Sequence, residues 1–475
     1  LWPRDSEPEL IQNVADLRLR EDLPMQRKHI TGSNSGVNVL LLVLESASSL
    51  YLAQVQRYHQ LETEIRLPNL EALFQQSLSF PNFLTQQAQT NRGLYALLSG
   101  DLPVLATKTP KMTRIAFSGP GTKDFLPATL ASAGYATAFV QGSNLAFMEK
   151  GKFMSQIGFQ QVLGADEIAE RGDYSGWGVD DKALFSKVSE LVEQLDAGPQ
   201  PWFVTALTVG THHPYDVPEG FRAEVDDRFQ RSLLYMDEAI GQLLRELQEK
   251  GCFEDTVVIV TSDESKGLGF LEESFQRELT GNAGLLLVRG PGIEPALDES
   301  LVVQSDLALS VVDYLGIEDP QDFAGRSLFR DYPSERRIVV ANTYGRHLFY
   351  LEEGRSIAWL SETGALRGAR SFGDNSIFSG RQELDFEPDV KWVSNLVRFS
   401  NSIGPAEDQD PILDLGEGEY AFTHTREGGR LLLGGQYLSV PSESVAKIEV
   451  RGKVREATFH SKAVFEVIDP SGLLA

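Results

Sequence analysis

The sequence predicts an α/β protein: a large domain on a central, largely parallel sheet, followed by a smaller β-rich module. Three observations lead there. Short aliphatic runs alternate with amphipathic helical stretches from residue 37 to about residue 330. Three of those runs stop at polar, potentially reactive residues, namely Glu45, His212 and Asp263-Glu264. After about residue 335 the helical period gives way to short alternating runs broken by Gly-Gly and Pro-Ser.

The first run, Val37 to Leu44, is apolar on both faces except at Asn38, as befits a central strand covered by helices on both sides. It ends at Glu45, where open α/β sheets bind ligands. A helix is expected over 67–78 after a Pro start. The segment FPNFLTQQAQTNRGLYALLSG reads as a loop and then a helix, with Thr90-Asn91 at the helix N-terminus. A helix, a stop at Gly134 and a strand from Ala136 to Val140 follow. Lys182–Leu195 and Phe229–Gln248 read as helices, and Trp202–Val209, Thr256–Val260 and Gly284–Val288 as strands. Asp306–Leu315 closes the series as a helix. Arg336–Leu360 alternates like hairpins, 372–411 is linker-like, and 412–467 reads as β-rich. The expected division is a lead-in segment at 1–36, a catalytic domain at 37–371, and a linker with a β-rich domain at 372–475.

Composition narrows the partners. A formal charge of −25 leaves no basic excess for nucleic acid and opposes an anionic membrane surface. The single cysteine, Cys252, excludes an intrachain disulfide framework and a zinc–cysteine site. No stretch is apolar enough to span a membrane. The chain opens on Leu1 rather than Met, and a processed piece that once followed a membrane anchor is expected.

The candidate chemistry is that of a divalent cation held by oxygens. Glu45, Asp263 and Glu264 supply carboxylates. Thr90, at a helix N-terminus, is placed to become a metal-activated nucleophile where backbone N–H groups favour phosphate. Arg92 is close in sequence for clamping a phosphate, and His212 is a candidate proton donor. Each residue also has a plainer reading: Thr90 as an N-cap, His212 as a satisfied loop histidine, Asp263 as a turn residue.

The order of these segments resembles the lipoteichoic acid synthase and phosphoglycerol transferase branch of the alkaline phosphatase superfamily. The stretches concerned are NVLLLVLES, TQQAQTNRGLYALLSGDLP, WGVDDKALF, LTVGTHHPYDVP, VVIVTSDE, GLLLVRGPG and SDLALSVVDYLGIEDPQDFAGRSLF. The resemblance implies an alkaline phosphatase-like sandwich and one divalent metal, Mn²⁺ or Mg²⁺. Its ligands would be Glu45, Thr90, Asp263 and Glu264. Thr90 and His212 would be catalytic, and Arg92, Lys150, His212 and Trp177 would contact substrate. The family's Asp-His metal pair reads Asp263-Glu264 here, which makes the donor set all oxygen and weakens the case for Zn²⁺. A Trp-x-Arg that contacts glycerol phosphate reads Met148-Glu149-Lys150; Lys150 attracts phosphate as a point charge rather than bidentately. The loop Thr90-Asn91-Arg92-Gly93 lacks the C/S-x-P-x-R context of a sulfatase nucleophile, and one cysteine does not fit the disulfide-rich phosphoethanolamine transferases.

The reading is an extracytoplasmic phosphotransferase or phosphodiesterase. It would work at the periplasmic or cell-surface face of the inner membrane, reached through a segment outside this chain. The substrate would be a phosphodiester such as a phospholipid head group. Two rivals stand beside it: a catalytically degenerate binding protein on the same fold, and a phosphomonoesterase.

Overall fold

The aliphatic run at 38–44 becomes the strand against which the others are laid. In the computed structural model the described residues are 23–403, apart from 33, 64, 106–110, 114–124, 169–176, 318–322, 362–363, 373–375 and 380–382. Beyond these, 421–425, 428–433 and 436–441 are described.

In chain order the first elements are β1 (Asn38–Leu44), α1 (Ala53–His59), α2 (Pro68–Phe74), β2 (Leu78–Ser79), β3 (Phe83–Leu84) and α3 (Thr90–Ser99). Next come α4 (Leu126–Ser132), β4 (Ala136–Gln141), α5 (Lys150–Gln156), β5 (Gln161–Leu163), α6 (Asp181–Asp196) and β6 (Trp202–Leu207). Then follow α7 (Arg228–Glu249), β7 (Thr256–Ser262), α8 (Ser274–Thr280), β8 (Leu286–Arg289), β9 (Ala296–Leu297), β10 (Val302–Val303) and α9 (Asp306–Leu315).

Eight strands form one sheet in the order β5-β4-β6-β1-β7-β8-β2-β9. The pairings β5-β4, β4-β6, β6-β1 and β1-β7 are all parallel. β8 is antiparallel to both β7 and β2, so it alone in this sheet runs against β1. β1 is therefore central, with β6 and β7 ending beside it.

Alternation along β1 explains its composition. Leu40, Leu42 and Leu44 enter one core, with residues of α6 and α7 such as Leu184, Val188, Met236 and Ile240. Val39, Leu41 and Val43 enter the other, with Leu94 and Leu97 of α3 and Leu307 and Val311 of α9. A strand buried on both faces needs apolar residues at both parities.

A four-stranded antiparallel sheet follows: β11 (Arg337–Asn342), β12 (His347–Glu352), β13 (Ser356–Ser361) and β14 (Leu366–Ser371). It bears out the hairpin reading and extends it by one strand. The stretch read as linker holds a helix, α10 (Val390–Ile403). Its Val393, Leu396 and Val397 bury against Val339, Leu348 and Tyr350 of that sheet. The Gly, Asp and Pro that suggested a linker lie outside this amphipathic helix, although Asn395 and Asn401 lie within it. The expected helix at 67–78 stops at Phe74, and Leu78–Ser79 join the sheet instead.

By contacts the chain divides into units at 1–403 and 404–475, with α10 in the first. In the second unit β15 (Ala421–Thr425), β16 (Gly428–Leu433) and β17 (Gln436–Pro441) form an antiparallel sheet. The β runs expected after 441 and the first 22 residues of the lead-in expected over 1–36 lie outside the described residues. Among the described residues no helix is long and apolar enough to cross a membrane.

One buried histidine gives the fold a pH dependence. His59, at the end of α1, is buried between Ser376 Oγ (2.6 Å from Nδ1) and the Pro81 carbonyl (2.9 Å from Nε2). The carbonyl fixes the proton on Nε2, so the serine hydroxyl donates to Nδ1. Burial lowers the imidazole's pKa to about 4, against the opposing pull of the Pro81 carbonyl. The unfolded chain takes up a proton near pH 6.5 that the folded chain refuses until about pH 4, so this contribution is complete above 6.5 and lost as pH falls. The loss is about 3 kcal/mol by pH 4. Urea unfolding of wild type and His59→Gln across this range should show the extra acid slope in wild type only. Parallel profiles would refute the assignment.

Candidate active site

Parallel strands bring their C-terminal ends to one edge, and the site lies there. Glu45 follows β1 and Asp263-Glu264 follow β7, with Leu44 opposite Ser262 in register. The loop after β6 carries His212, and α3 begins at Thr90. Tight packing sets α3 against β7. A Cβ on Gly93 would sit 1.9 Å from the Asp263 carbonyl oxygen, so only glycine permits this approach.

At the centre, Thr90 Oγ1 donates to Glu45 Oε2 at 3.1 Å. The Ser46 hydroxyl lies between carboxylates, 3.2 Å from Glu45 Oε1 and 3.3 Å from Glu264 Oε1. Asp263 Oδ1 accepts the backbone N–H groups of Ser46 (3.1 Å) and Glu264 (2.8 Å). The Gln89 N–H donates to Glu264 Oε2. Glu45 itself is anchored through its main chain, its N–H donating to Thr208 Oγ1 at 2.9 Å and its carbonyl accepting from the Thr211 hydroxyl.

Three crowded carboxylates distort one another's acidity. Burial, and then Glu264, lifts Glu45 to about 7. Burial, and then Asp263, lifts Glu264 to about 7. Asp263 is raised well above the usual carboxylate range by burial and by Glu45. Lys150, at the start of α5, is buried among them. Burial lowers it to about 8, while Glu45 and Asp263 pull the other way.

An open cleft, with about 150 Å³ of room for solvent, lies over this floor. Glu45, Thr90, Lys150, His212, Trp177 and Glu264 all line it. The Trp177 and His212 rings lie 4.1 Å apart. His212 Nδ1 is 2.7 Å from the His213 carbonyl, so it carries a proton, and Nε2 is left for a ligand.

Arg92 departs from expectation. It is fully buried, away from the cleft lining; its Nε donates to Gln89 Oε1 at 2.8 Å and its Nη1 to the Val104 carbonyl. Its position three residues into the helix turns it inward, where it braces the loop before Thr90. Sequence reasoning also missed residues. Phe147 and Tyr344 line the cleft although they are 51% and 72% exposed. Tyr344 comes from the β11–β12 turn, so no local pattern could announce it. Ser46 was visible beside Glu45, but its bridging hydroxyl needs the folded geometry. Gln304 supports the floor from below, its amide donating to the Ser262 and Asp263 carbonyls at 3.0 and 2.6 Å.

Backbone strain gathers here. Ser46, Gln89, Met148 and Glu149 have left-handed φ of 55°, 106°, 57° and 56°. Ser46, Gln89 and Glu149 are direct neighbours of Glu45, Thr90 and Lys150, and Met148 precedes Glu149. Such conformations cost of order 1–3 kcal/mol each and collect at functional sites.

The donor set fits a hard divalent cation. All candidate ligands are oxygens, and Asp263 Oδ2 is buried with no donor. Among the described residues no three acidic, histidine or cysteine side chains already stand in a ligating array.

The fold defines a class: α/β proteins with a cleft at the strand ends of a central, mostly parallel sheet. More particularly, the chain belongs to the sulfatase family, which matches residues 37–317. It is thereby among enzymes acting on phosphate or sulfate esters. It is 26% identical over 341 residues to "Phosphoglycerol transferase I" of Xanthomonas euvesicatoria pv. vesicatoria, covering 67% of this chain and 47% of that protein. The chain thus spans about half the length of this curated relative. Its fold is that of the lipoteichoic acid synthase LtaP of Listeria monocytogenes, with TM-score 0.66, 16% identity, and coverage of 82% of this chain and 98% of that one. An alkaline phosphatase superfamily protein of Vibrio parahaemolyticus superposes with TM-score 0.65, at 21% identity over 82% of this chain and 93% of that one.

The Gly93 contact is testable. Gly93→Ala should lower stability by about 3 kcal/mol, since the clash is with backbone that cannot rotate away. Urea unfolding measures this, and an unchanged midpoint would show that α3 does not need glycine to reach β7.

Proposed function

We propose that the chain is the extracytoplasmic, metal-dependent catalytic part of a phosphoglycerol transferase-type enzyme with Thr90 as nucleophile. The observation that carries this reading is the Thr90 hydroxyl donating to Glu45 inside a cleft that Lys150 and His212 also line. The similarity to phosphoglycerol transferase I supports the substrate class, a phosphodiester such as a phospholipid head group. Mn²⁺ or Mg²⁺, held by Glu45, Thr90, Asp263 and Glu264, would acidify the threonine hydroxyl and offset phosphoryl charge.

The residues divide the work. The Thr90 proton is directed at Glu45 Oε2, which leaves an oxygen lone pair for phosphorus. The N-terminus of α3 presents backbone N–H groups and the positive end of its dipole to the phosphoryl oxygens. The Lys150 ammonium adds a point charge. His212, charged, gives its Nε2 proton to the departing alcohol. Neutral, it takes a proton from the incoming alcohol or water that releases the phosphoryl group from Thr90. Trp177 restrains the imidazole by packing against it at a tilt, with ring centroids 4.1 Å apart.

Thr90→Ala should lower turnover of bis(4-nitrophenyl) phosphate and of phosphatidylglycerol by roughly 10³-fold or more while leaving the fold intact. Retained turnover of both diesters would end the mechanism. Faster cleavage of monoesters than of diesters would instead indicate a phosphomonoesterase.

One observation favours a second reading, a degenerate binding protein on the same fold. Lys150 already supplies a positive charge beside Glu45 and Asp263, and the Gln89 N–H engages Glu264. Calorimetric titration separates the two. The catalytic reading expects one saturable Mn²⁺ site below millimolar concentration, lost in Glu45→Ala; absence of binding in wild type favours the degenerate protein.

A further inference from the structure

The turn carrying His212 is gripped from two sides. On one side Thr208 and Thr211 tie it to the main chain of Glu45. On the other, Asp181 Oδ1 accepts the backbone N–H groups of Val209 at 3.1 Å and Gly210 at 3.2 Å. Asp181 is fully buried, and its Oδ2 has no donor. Gly210 approaches so closely that a Cβ there would lie 2.6 Å from Asp181 Oδ2.

Asp181 has no capping duty to explain it. It is the first residue of α6, but the cap is its neighbour: Asp180 Oδ1 accepts the N–H groups of Lys182 and Ala183 at 3.0 and 3.1 Å. The two adjacent aspartates thus divide, one serving the helix and the other serving a loop from a different strand. Burial of Asp181 raises its pKa to about 6, against the pull of the Val209 and Gly210 N–H groups. Such a group costs stability, and what it obtains for that cost is a fixed turn. The same segment carries Trp177, which packs on the His212 ring, and is itself pinned by the Val179 N–H on the Gly142 carbonyl. Residues 177–181 therefore hold His212 by ring and by backbone. Asp181 does not line the cleft.

We infer that Asp181 is a positioning residue for the reaction, holding the Val209–His212 turn so that the His212 imidazole faces the scissile ester. The inference rests on the reading of His212 as the proton-transfer group. It predicts a graded series. Asp181→Asn retains an acceptor for both N–H groups and should keep kcat within about threefold. Asp181→Ala removes the acceptor, and Gly210→Ala forces the turn off it; both should lower kcat about 10- to 100-fold with little change in KM. Gly210 lacks a left-handed φ, so alanine acts there only through this contact.

The experiment measures kcat and KM for bis(4-nitrophenyl) phosphate with Mn²⁺ present, in these variants and on a His212→Ala background. If Asp181 acts through His212, Asp181→Ala costs nothing further once His212 is gone. Additive losses, or Asn as damaging as Ala, overturn the inference. Long-range ¹H–¹⁵N spectra of histidine-labelled protein provide a readout without turnover. They should show His212 as one Nδ1–H tautomer in wild type and Asp181→Asn, and as a mixture in Asp181→Ala and Gly210→Ala. An unchanged spectrum in the two alanine variants overturns the inference even if wild type cleaves no diester, an outcome that by itself would sink only the phosphotransfer reading.

Discussion

Three carboxylates forced into one buried corner set the terms for the rest of this structure. The sheet requires the crowding: β1 and β7 are parallel neighbours in register, so Glu45 and Asp263 leave their ends side by side. Acids so placed repel, and burial removes the water that would screen them. The protein answers with whatever positive or donating groups it has. Backbone N–H groups hold Asp263 and Glu264, the Ser46 hydroxyl bridges Glu45 and Glu264, and Lys150 brings an ammonium into the interior. These responses leave Asp263 Oδ2 without a donor.

That unpaired acidity sets this corner apart from acids that the protein neutralises completely. A structural acid cluster is relieved by arginine and made complete, as Asp306 and Arg336 show elsewhere in this chain with two short contacts. The corner at Glu45 is not completed in that way. It is lined on its open side by a nucleophile-type hydroxyl, a histidine with an available Nε2, and aromatic rings. Strained backbone at Ser46, Gln89, Met148 and Glu149 aims the side chains that follow or precede it. The proposed cation would supply what the protein's own donors omit.

Much of this was legible in the sequence, for a simple reason. Doubly buried strands write themselves as aliphatic runs, and the residue ending each run inherits its place at the sheet edge. Glu45, His212 and Asp263-Glu264 could be grouped on that basis, and Thr90 by its place before an apolar helix. Arg92 misled because sequence proximity to Thr90 says nothing about which way a helical residue turns; its guanidinium faces the loop backbone. Tyr344 was invisible because it reaches the cleft from the antiparallel sheet, far along the chain. The helix at 390–403 was hidden by the polar, turn-rich residues before and after it.

Lys150 and Glu149 show how one local irregularity can assign opposite tasks to neighbours. Two successive left-handed residues, Met148 and Glu149, break the chain between Phe147 and α5. The break sends Glu149 outward, where it pairs with Lys111 at 2.6 Å and with the Thr113 hydroxyl. It sends Lys150 inward to the carboxylates. An ammonium delivered in this way is a compact charge without fixed direction. It stands in a cleft whose rim carries the aromatic side chains of Phe147, Trp177 and Tyr344.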